Sequence, residues 1–225
     1  LQRSNDIFLK ILKFSPRNKN ALKSLLLVNE KLKNFKKAKE ITQALEELNV
    51  DVSVEKVYFD TLIILNDSIL SYEKRTELLF EIFKENKIIQ RIFATFLIQS
   101  NREFFFSNID MFDCEKLIDI LWYQKKEDID FDKIKNNQFL NELYSAKNYI
   151  NSVSTSSDFD LNILILINKY QKDIKTNLTF EFICNSCKHS SPFYEARCPN
   201  CHSILSLEVK HHLTKAYELS NQSLQ

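Results

Sequence analysis

Apolar residues recur along most of this chain at spacings of three and four, the period of a helix that hides one face. NALKSLLLVNEKL, residues 20–32, carries them at 22, 25, 26, 28 and 32 and predicts such a helix. The flanking stretches repeat one another. QRSNDIFLKILKFSPRN (2–18) and KKAKEITQALEELNVDV (36–52) align without gaps at an offset of 34 residues. Ser4 falls on Ala38, Asp6 on Glu40, Ile7 on Ile41, Ile11 on Leu45 and Phe14 on Leu48, and Pro16 and Val50 each close a helix. A period of this length, with two helices per unit, is that of a tetratricopeptide repeat. KNF (33–35) reads as the corner of the unit, and Phe35 followed by small Ala38 allows the second helix to approach the first closely.

Beyond residue 52 the period blurs but the helical pattern continues. VEKVYFDTLIIL (54–65) and EKRTELLFEIFKE (73–85) form a pair around the corner NDS. IIQRIFATFLIQ (88–99) and CEKLIDILWYQ (114–124) form the next, with NREFFFSNID as connector. FLNELYSAKNYI (139–150) and FDLNILILINKYQ (159–171) form the last, joined by the linker NSVSTSSD (151–158), in which Ser157 or Asp158 caps the following helix. The pattern then changes: TFEFI (179–183) and ILSLEV (204–209) alternate as two-sided strands do. The expected fold is mainly α, a tetratricopeptide-like solenoid over 1–175, a small four-cysteine module over 176–210, and a C-terminal helix or tail over 211–225. His211 and His212 are expected on the surface at the start of that helix. The first helix lacks the partner that a solenoid would place before it. The chain also opens on Leu1 in mid-pattern, so an upstream segment is expected. Apolar side chains such as Phe8 and Ile11 would then be open to self-association.

Composition narrows the function classes. The chain has no glycine, which excludes the GxxxxGK[ST] and GxGxxG phosphate loops and the nucleotide-binding classes built on them. A net charge of +1 selects neither nucleic acid nor membrane as a partner, so only local patches could. The longest strongly apolar run, LNILILI (161–167), is far short of the roughly 20 residues that span a bilayer. No signal peptide is visible. Neither a Ser-His-Asp arrangement nor a paired-carboxylate one can be placed, so no enzymatic activity is expected.

Four of the five cysteines stand in ICNSCKHSSPFYEARCPNCHSI, at 184, 187, 198 and 201. The spacing is Cys-x2-Cys-x10-Cys-x2-Cys. Ligands three apart converge on one ion from a tight turn, and two such turns complete a tetrahedral set of thiolates for one zinc or iron ion. Two disulfides are the rival reading, but they need an oxidising compartment and would leave Cys114 odd. A site filled by four protein ligands has no place for substrate, which argues for a structural role. His189 and His202 adjoin the ligands and are read as exposed neighbours. Cys114, in CEKLIDILWY, reads as a small core residue, as do Trp122 and the phenylalanines at 104–106.

Helical repeats followed by Phe182-x-Cys184-x-x-Cys187, a ten-residue gap and Cys198-Pro199-x-Cys201 resemble the LapB (YciM) group of lipopolysaccharide assembly proteins. That group joins tetratricopeptide repeats to a C-terminal rubredoxin-like knuckle. The chain departs from the group's pattern at three places: Lys188 stands where a glycine is usual, and Ala196 and Ile204 where tryptophans are. The resemblance implies a non-enzymatic adaptor on the cytoplasmic face of the bacterial inner membrane, held by an N-terminal helical anchor that the sequence does not contain. It also implies action with the membrane protease FtsH in the turnover of the deacetylase LpxC, tuning lipopolysaccharide synthesis.

Three function classes follow. In the first, a scaffold holds a protein partner in the repeat groove, with Lys23, Leu27, Glu30 and Lys31 as the candidate contacts. In the second, a zinc-ribbon-like knuckle binds nucleic acid through Lys188, Arg197, Lys210, Phe193 and Tyr194, or the basic run KLKNFKKAK (31–39) does so; but acidic residues follow that run at 40, 46 and 47, and the contiguous basic footprint such binding needs is missing. In the third, an iron knuckle senses redox state or transfers electrons.

Overall fold

The computed structural model describes residues 1–171 and 175–215. Mainly helical, with a small antiparallel sheet, the chain divides into two compact units, Leu1–Phe93 and Ala94–Gln225.

The first unit is built from helices α1 (Gln2–Phe14), α2 (Lys19–Lys31), α3 (Phe35–Glu46), α4 (Ser53–Leu65) and α5 (Tyr72–Glu85), and holds the start of α6 (Gln90–Ser100). From α1 to α5 each helix packs on the next in the chain. The bounds of α2 and α4 recur at the sequence offset, Lys19 to Ser53 and Lys31 to Leu65. Ala21, Leu22, Leu25, Leu26 and Val28 bury one face of α2. Ala38 has no exposed surface, as expected of the small residue that lets α3 come close. Asn29, itself buried, donates to the Leu25 carbonyl at 2.9 Å and to the Asn5 side chain at 3.2 Å, joining α2 to α1.

A chain without glycine must close its helices by other means. After α2, Lys33 takes a left-handed φ of 59°, while its N–H bonds the Glu30 carbonyl and the Asn34 N–H bonds that of Asn29. After α3, Asn49 does the same at φ 58°, with Val50 N–H on the Leu45 carbonyl. Both are Schellman closures, in which glycine is usual and asparagine the common substitute. On α1 no residue is fully buried. Phe8 lies half-buried, whereas Ile7, Ile11 and Phe14 form an exposed apolar row, with Phe14 92% exposed.

The second unit departs further from the expected pattern. The stretch expected as a connector, 101–110, contains a helix, α7 (Arg102–Ser107), because Asn101 caps it on Phe104 N–H at 3.1 Å and Phe105 and Phe106 bury its inner side. The helix expected over 114–124 shortens to a 3-10 turn, Glu115–Leu117, and α8 (Ile118–Trp122). A further short helix, α9 (Phe131–Ile134), precedes α10 (Gln138–Ala146) and α11 (Phe159–Tyr170). Asp158 caps α11, accepting from Leu161 N–H at 3.0 Å. Phe105, Leu117, Ile118, Leu121, Ile134, Leu140, Leu143 and Tyr144 form fully buried parts of this unit.

Three strands complete it: β1 (Thr176–Cys184), β2 (Ser190–Ser191) and β3 (Leu207–Lys215), in the antiparallel order β2-β1-β3. β1 pairs with β3 along its whole length, from Thr176 opposite Lys215 to Cys184 opposite Leu207. Both strands outrun the expected spans, and the second begins three residues later than expected. Leu205 takes φ 50°, and Ile204 sits instead in an isolated bridge with Arg197. His211 and His212 therefore stand on β3, not at the start of a helix. His211 Nε2 lies 3.0 Å from Asp158 Oδ2, and His212 Nε2 lies 2.9 Å from Glu181 Oε1. The rest of the expected C-terminal helix or tail, 216–225, lies outside the described residues. Among the described residues, no helix is long and apolar enough to cross a membrane.

Candidate metal centre

The end of β1 and the loop before β3 each fold into the same small turn. In the first, Cys184 N–H bonds the His189 carbonyl at 2.9 Å and Lys188 N–H returns to the Cys184 carbonyl at 2.8 Å. In the second, Cys198 N–H bonds the Ser203 carbonyl at 2.9 Å and His202 N–H returns to the Cys198 carbonyl at 3.0 Å. Lys188 and His202 occupy matching places with φ of 61° and 63°. Each turn thereby brings its two cysteine side chains to one side.

The two turns face each other. Their sulfurs lie 3.7 Å apart across Cys184–Cys201 and 3.7 Å apart across Cys187–Cys198. All four ligand atoms fall within 4.8 Å of one another. A regular tetrahedron with metal–sulfur bonds of about 2.3 Å has edges of roughly 3.8 Å, so the set is sized for zinc or iron. All five thiols are free. The site thus fits one metal ion held by Cys184, Cys187, Cys198 and Cys201, with no ligand position left over. His189 and His202 are exposed and stand outside the cluster.

Polar neighbours suit the sulfurs to carry negative charge. The Ser206 hydroxyl lies 3.3 Å from Cys184 Sγ, the Ser203 hydroxyl 3.3 Å from Cys201 Sγ, and Asn200 Nδ2 donates to Cys187 Sγ at 3.5 Å. Burial opposes ionisation of Cys184, but the Ser206 hydroxyl and the N–H groups of Cys187 and Ser186 outweigh it and bring the thiol down to about 6. The Ser203 hydroxyl and N–H lower Cys201 as well. Burial dominates at Cys198 and pushes it up to about 11. A cation among the four would offset that burial, since a coordinated thiol loses its proton. These donors were not picked out from the sequence, although serines two and five residues after the last ligand are the signal that could have found them.

The module has little core of its own. Phe182, Cys184, Cys198 and Leu207 are buried together, with Cys187, Tyr194 and Val209 packed against them. Phe182 and Tyr194 meet edge-on with centroids 5.7 Å apart. Helices of the same unit anchor the sheet: Trp122 Nε1 donates to Asn177 Oδ1 at 3.0 Å, and Tyr123 meets Phe180 edge-on at 5.7 Å. Where tryptophans are usual in the resembled group, Ala196 is half-buried, its carbonyl accepting from Leu205 N–H, and Ile204 is buried.

The remaining sequence candidates lie elsewhere. Lys23 and Lys31 are exposed on α2, and Leu27 is half-buried between them. Glu30 is also half-buried and accepts from the Tyr58 hydroxyl of α4 at 3.1 Å. Cys114 is buried far from any role as a nucleophile, its thiol pushed up to about 12 by burial and by Asp113 and Asp110. Trp122, Phe105 and Phe106 are core residues, while Phe104 is half-buried.

No protein-family model matches this chain, and no curated protein matches it.

Proposed function

We propose that this chain is a protein–protein adaptor without catalysis of its own, in which tetratricopeptide-like helices offer the binding surface and a four-cysteine knuckle carries one structural zinc or iron ion. The observation that carries this is the closed ligand set: four sulfurs at tetrahedral spacing leave no position for water or substrate. The recurrence of α2 in α4 at 34 residues supports the repeat reading of the first unit. In that reading Lys23, Leu27, Glu30 and Lys31 lie on the helix that lines the repeat groove. The LapB-like order of modules supports the finer proposal, an envelope adaptor that acts with FtsH and lipopolysaccharide enzymes at the cytoplasmic face of the inner membrane.

The test is affinity capture of the full-length protein from membranes of its own cells, beside a Cys184→Ser/Cys187→Ser variant, with metal content measured on both. Recovery of the protease or of lipopolysaccharide enzymes by the wild type alone supports the finer reading, and one zinc or iron per chain supports the site. Capture of RNA in place of protein overturns the adaptor reading. An electron-transfer role is the second reading, favoured by the exposure of Cys201 at the edge of the site. Iron with a reversible potential in protein purified without oxygen would establish it, and zinc under those conditions would remove it.

A further inference from the structure

The basic run 31–39 is not uniform in its surroundings. Lys39 pairs with Asp60 across to α4. Lys33, Lys36 and Lys37 have neither an ion pair nor a side-chain hydrogen bond among the described residues, and all three are exposed. They line one cavity of about 460 Å³ within the first unit. Its size is that of an ordinary ligand pocket. The opposite wall is the next corner of the repeat: Lys33, Asn34 and Phe35 answer to Asp67, Ser68 and Ile69 at the 34-residue offset, and both triplets line the cavity.

The cavity has an apolar side as well as a cationic one. Phe35 and Ile63 are half-buried in it, and Ile69 is 91% exposed on the corner above. Asp67 is its single acidic group. Asp67 Oδ1 accepts from Ile69 N–H at 2.9 Å, and the Asp67 carbonyl accepts from Arg75 at 2.5 Å. Three unpaired ammonium groups against one engaged carboxylate leave the cavity positive.

The geometry points to a docking site for an acidic protein segment with an apolar anchor. One leucine-like side chain seats against Phe35, Ile63 and Ile69, and flanking carboxylates meet Lys33, Lys36 and Lys37. A peptide fits better than a nucleic acid, because its main-chain N–H groups can bond the remaining oxygen of Asp67, whereas a phosphodiester offers only repulsion there. The site takes its ligand class from the adaptor reading, but it lies at the corners of the repeat, away from Lys23 and Leu27.

The experiment is fluorescence anisotropy on the full chain with a labelled decapeptide of Glu and Ser carrying a central Leu-Leu pair. Saturable binding that weakens as salt rises is expected. Lys33→Glu/Lys36→Glu/Lys37→Glu should weaken it by about tenfold or more, which is the scale of a few lost surface charge pairs. Glutamates at 36 and 37 lie in the first turn of α3 and suit that end of a helix, and residue 33 lies in the corner outside both helices, so the triple variant should keep its circular dichroism. Ile69→Ser should weaken binding without changing its dependence on salt. The proposal is overturned if the decapeptide does not bind, if either variant binds as well as wild type, if Ser in place of the Leu pair costs nothing, or if a thymidine decanucleotide displaces the peptide at lower concentration. Failure here with partners still captured from cells removes only this cavity. Capture that returns no protein removes the adaptor reading and leaves the peptide result standing.

Discussion

Lys188 shows how a single residue can carry a cost that the fold accepts. It holds φ 61° at the close of the first knuckle, where glycine is usual in the resembled group. A left-handed residue with a Cβ costs about 1–2 kcal/mol, and glycine returns roughly half of that gain as chain entropy. Lys188→Gly is therefore expected to stabilise the metal-bound second unit by about 0.5–1 kcal/mol in denaturant unfolding, with Lys188→Ala unchanged. A loss on Lys188→Gly would mean that the lysine side chain contributes more than its backbone costs. The sulfurs give a second residue-scale expectation. Burial holds Cys198 up at about 11, so without metal its thiol is protonated at neutral pH, and an incoming ion must displace that proton. Affinity for zinc should then fall as pH falls, by about tenfold per unit for each proton displaced, between pH 8.5 and 6.5. Calorimetry in buffers of different ionisation enthalpy counts the protons, and a pH-independent affinity would contradict the assignment.

At the scale of elements, legibility followed the strength of the period. The first five helices are legible because apolar residues recur along them at helical spacing and because 2–18 and 36–52 repeat one another. The four ligands were visible because spacing alone defines a knuckle. What lay between was legible in part: α6, α10 and α11 fall on expected spans, but α7 hides in a stretch whose Asn and Phe cluster reads as a corner, and of the helix expected over 114–124 only the five residues of α8 are α-helical. β3 was placed early because Ile204 continues the alternation of 204–209, whereas its backbone is turned aside by Leu205 at φ 50°. The contacts joining sheet to helix were beyond reach, since Trp122 and Asn177 are 55 residues apart in sequence. That bond now gives a test of the docking of β1 on α8. Trp122→Phe and Asn177→Ala, singly and together, should show a coupling of about 0.5–1.5 kcal/mol, the net worth of one hydrogen bond. In the first unit the tested element is α3. Ala38 has no exposed surface, so Ala38→Leu should overpack its contact and destabilise by about 1–3 kcal/mol, against almost no change for Lys37→Leu one residue away on the exposed side.

For the whole molecule the division into two units decides what metal loss can do. The four ligands, the sheet and the helices that anchor it all belong to Ala94–Gln225, while α1 to α5 belong to Leu1–Phe93. The sheet's own core is Phe182, Leu207 and two of the four clustered cysteines, so an ion held by the four would replace apolar burial that the module lacks. Four-thiolate zinc sites contribute on the order of 10 kcal/mol or more to such folds. The helices of each unit bury more apolar side chains than the sheet does and supply none of the four clustered cysteines. Removal of the ion by a chelator, or Cys184→Ser with Cys187→Ser, should therefore open the amides of β1, β2 and β3 to fast hydrogen exchange. The amides of α2 to α5 should keep their protection, and most of the helical circular dichroism should remain. Trp122 sits at the junction, hydrogen-bonded to Asn177 of β1, and its fluorescence should report the loss of the sheet. If exchange rises equally in both units, the ion supports the entire chain and the two units unfold as one. If the sheet stays protected in the double cysteine variant, the four cysteines are not what holds it.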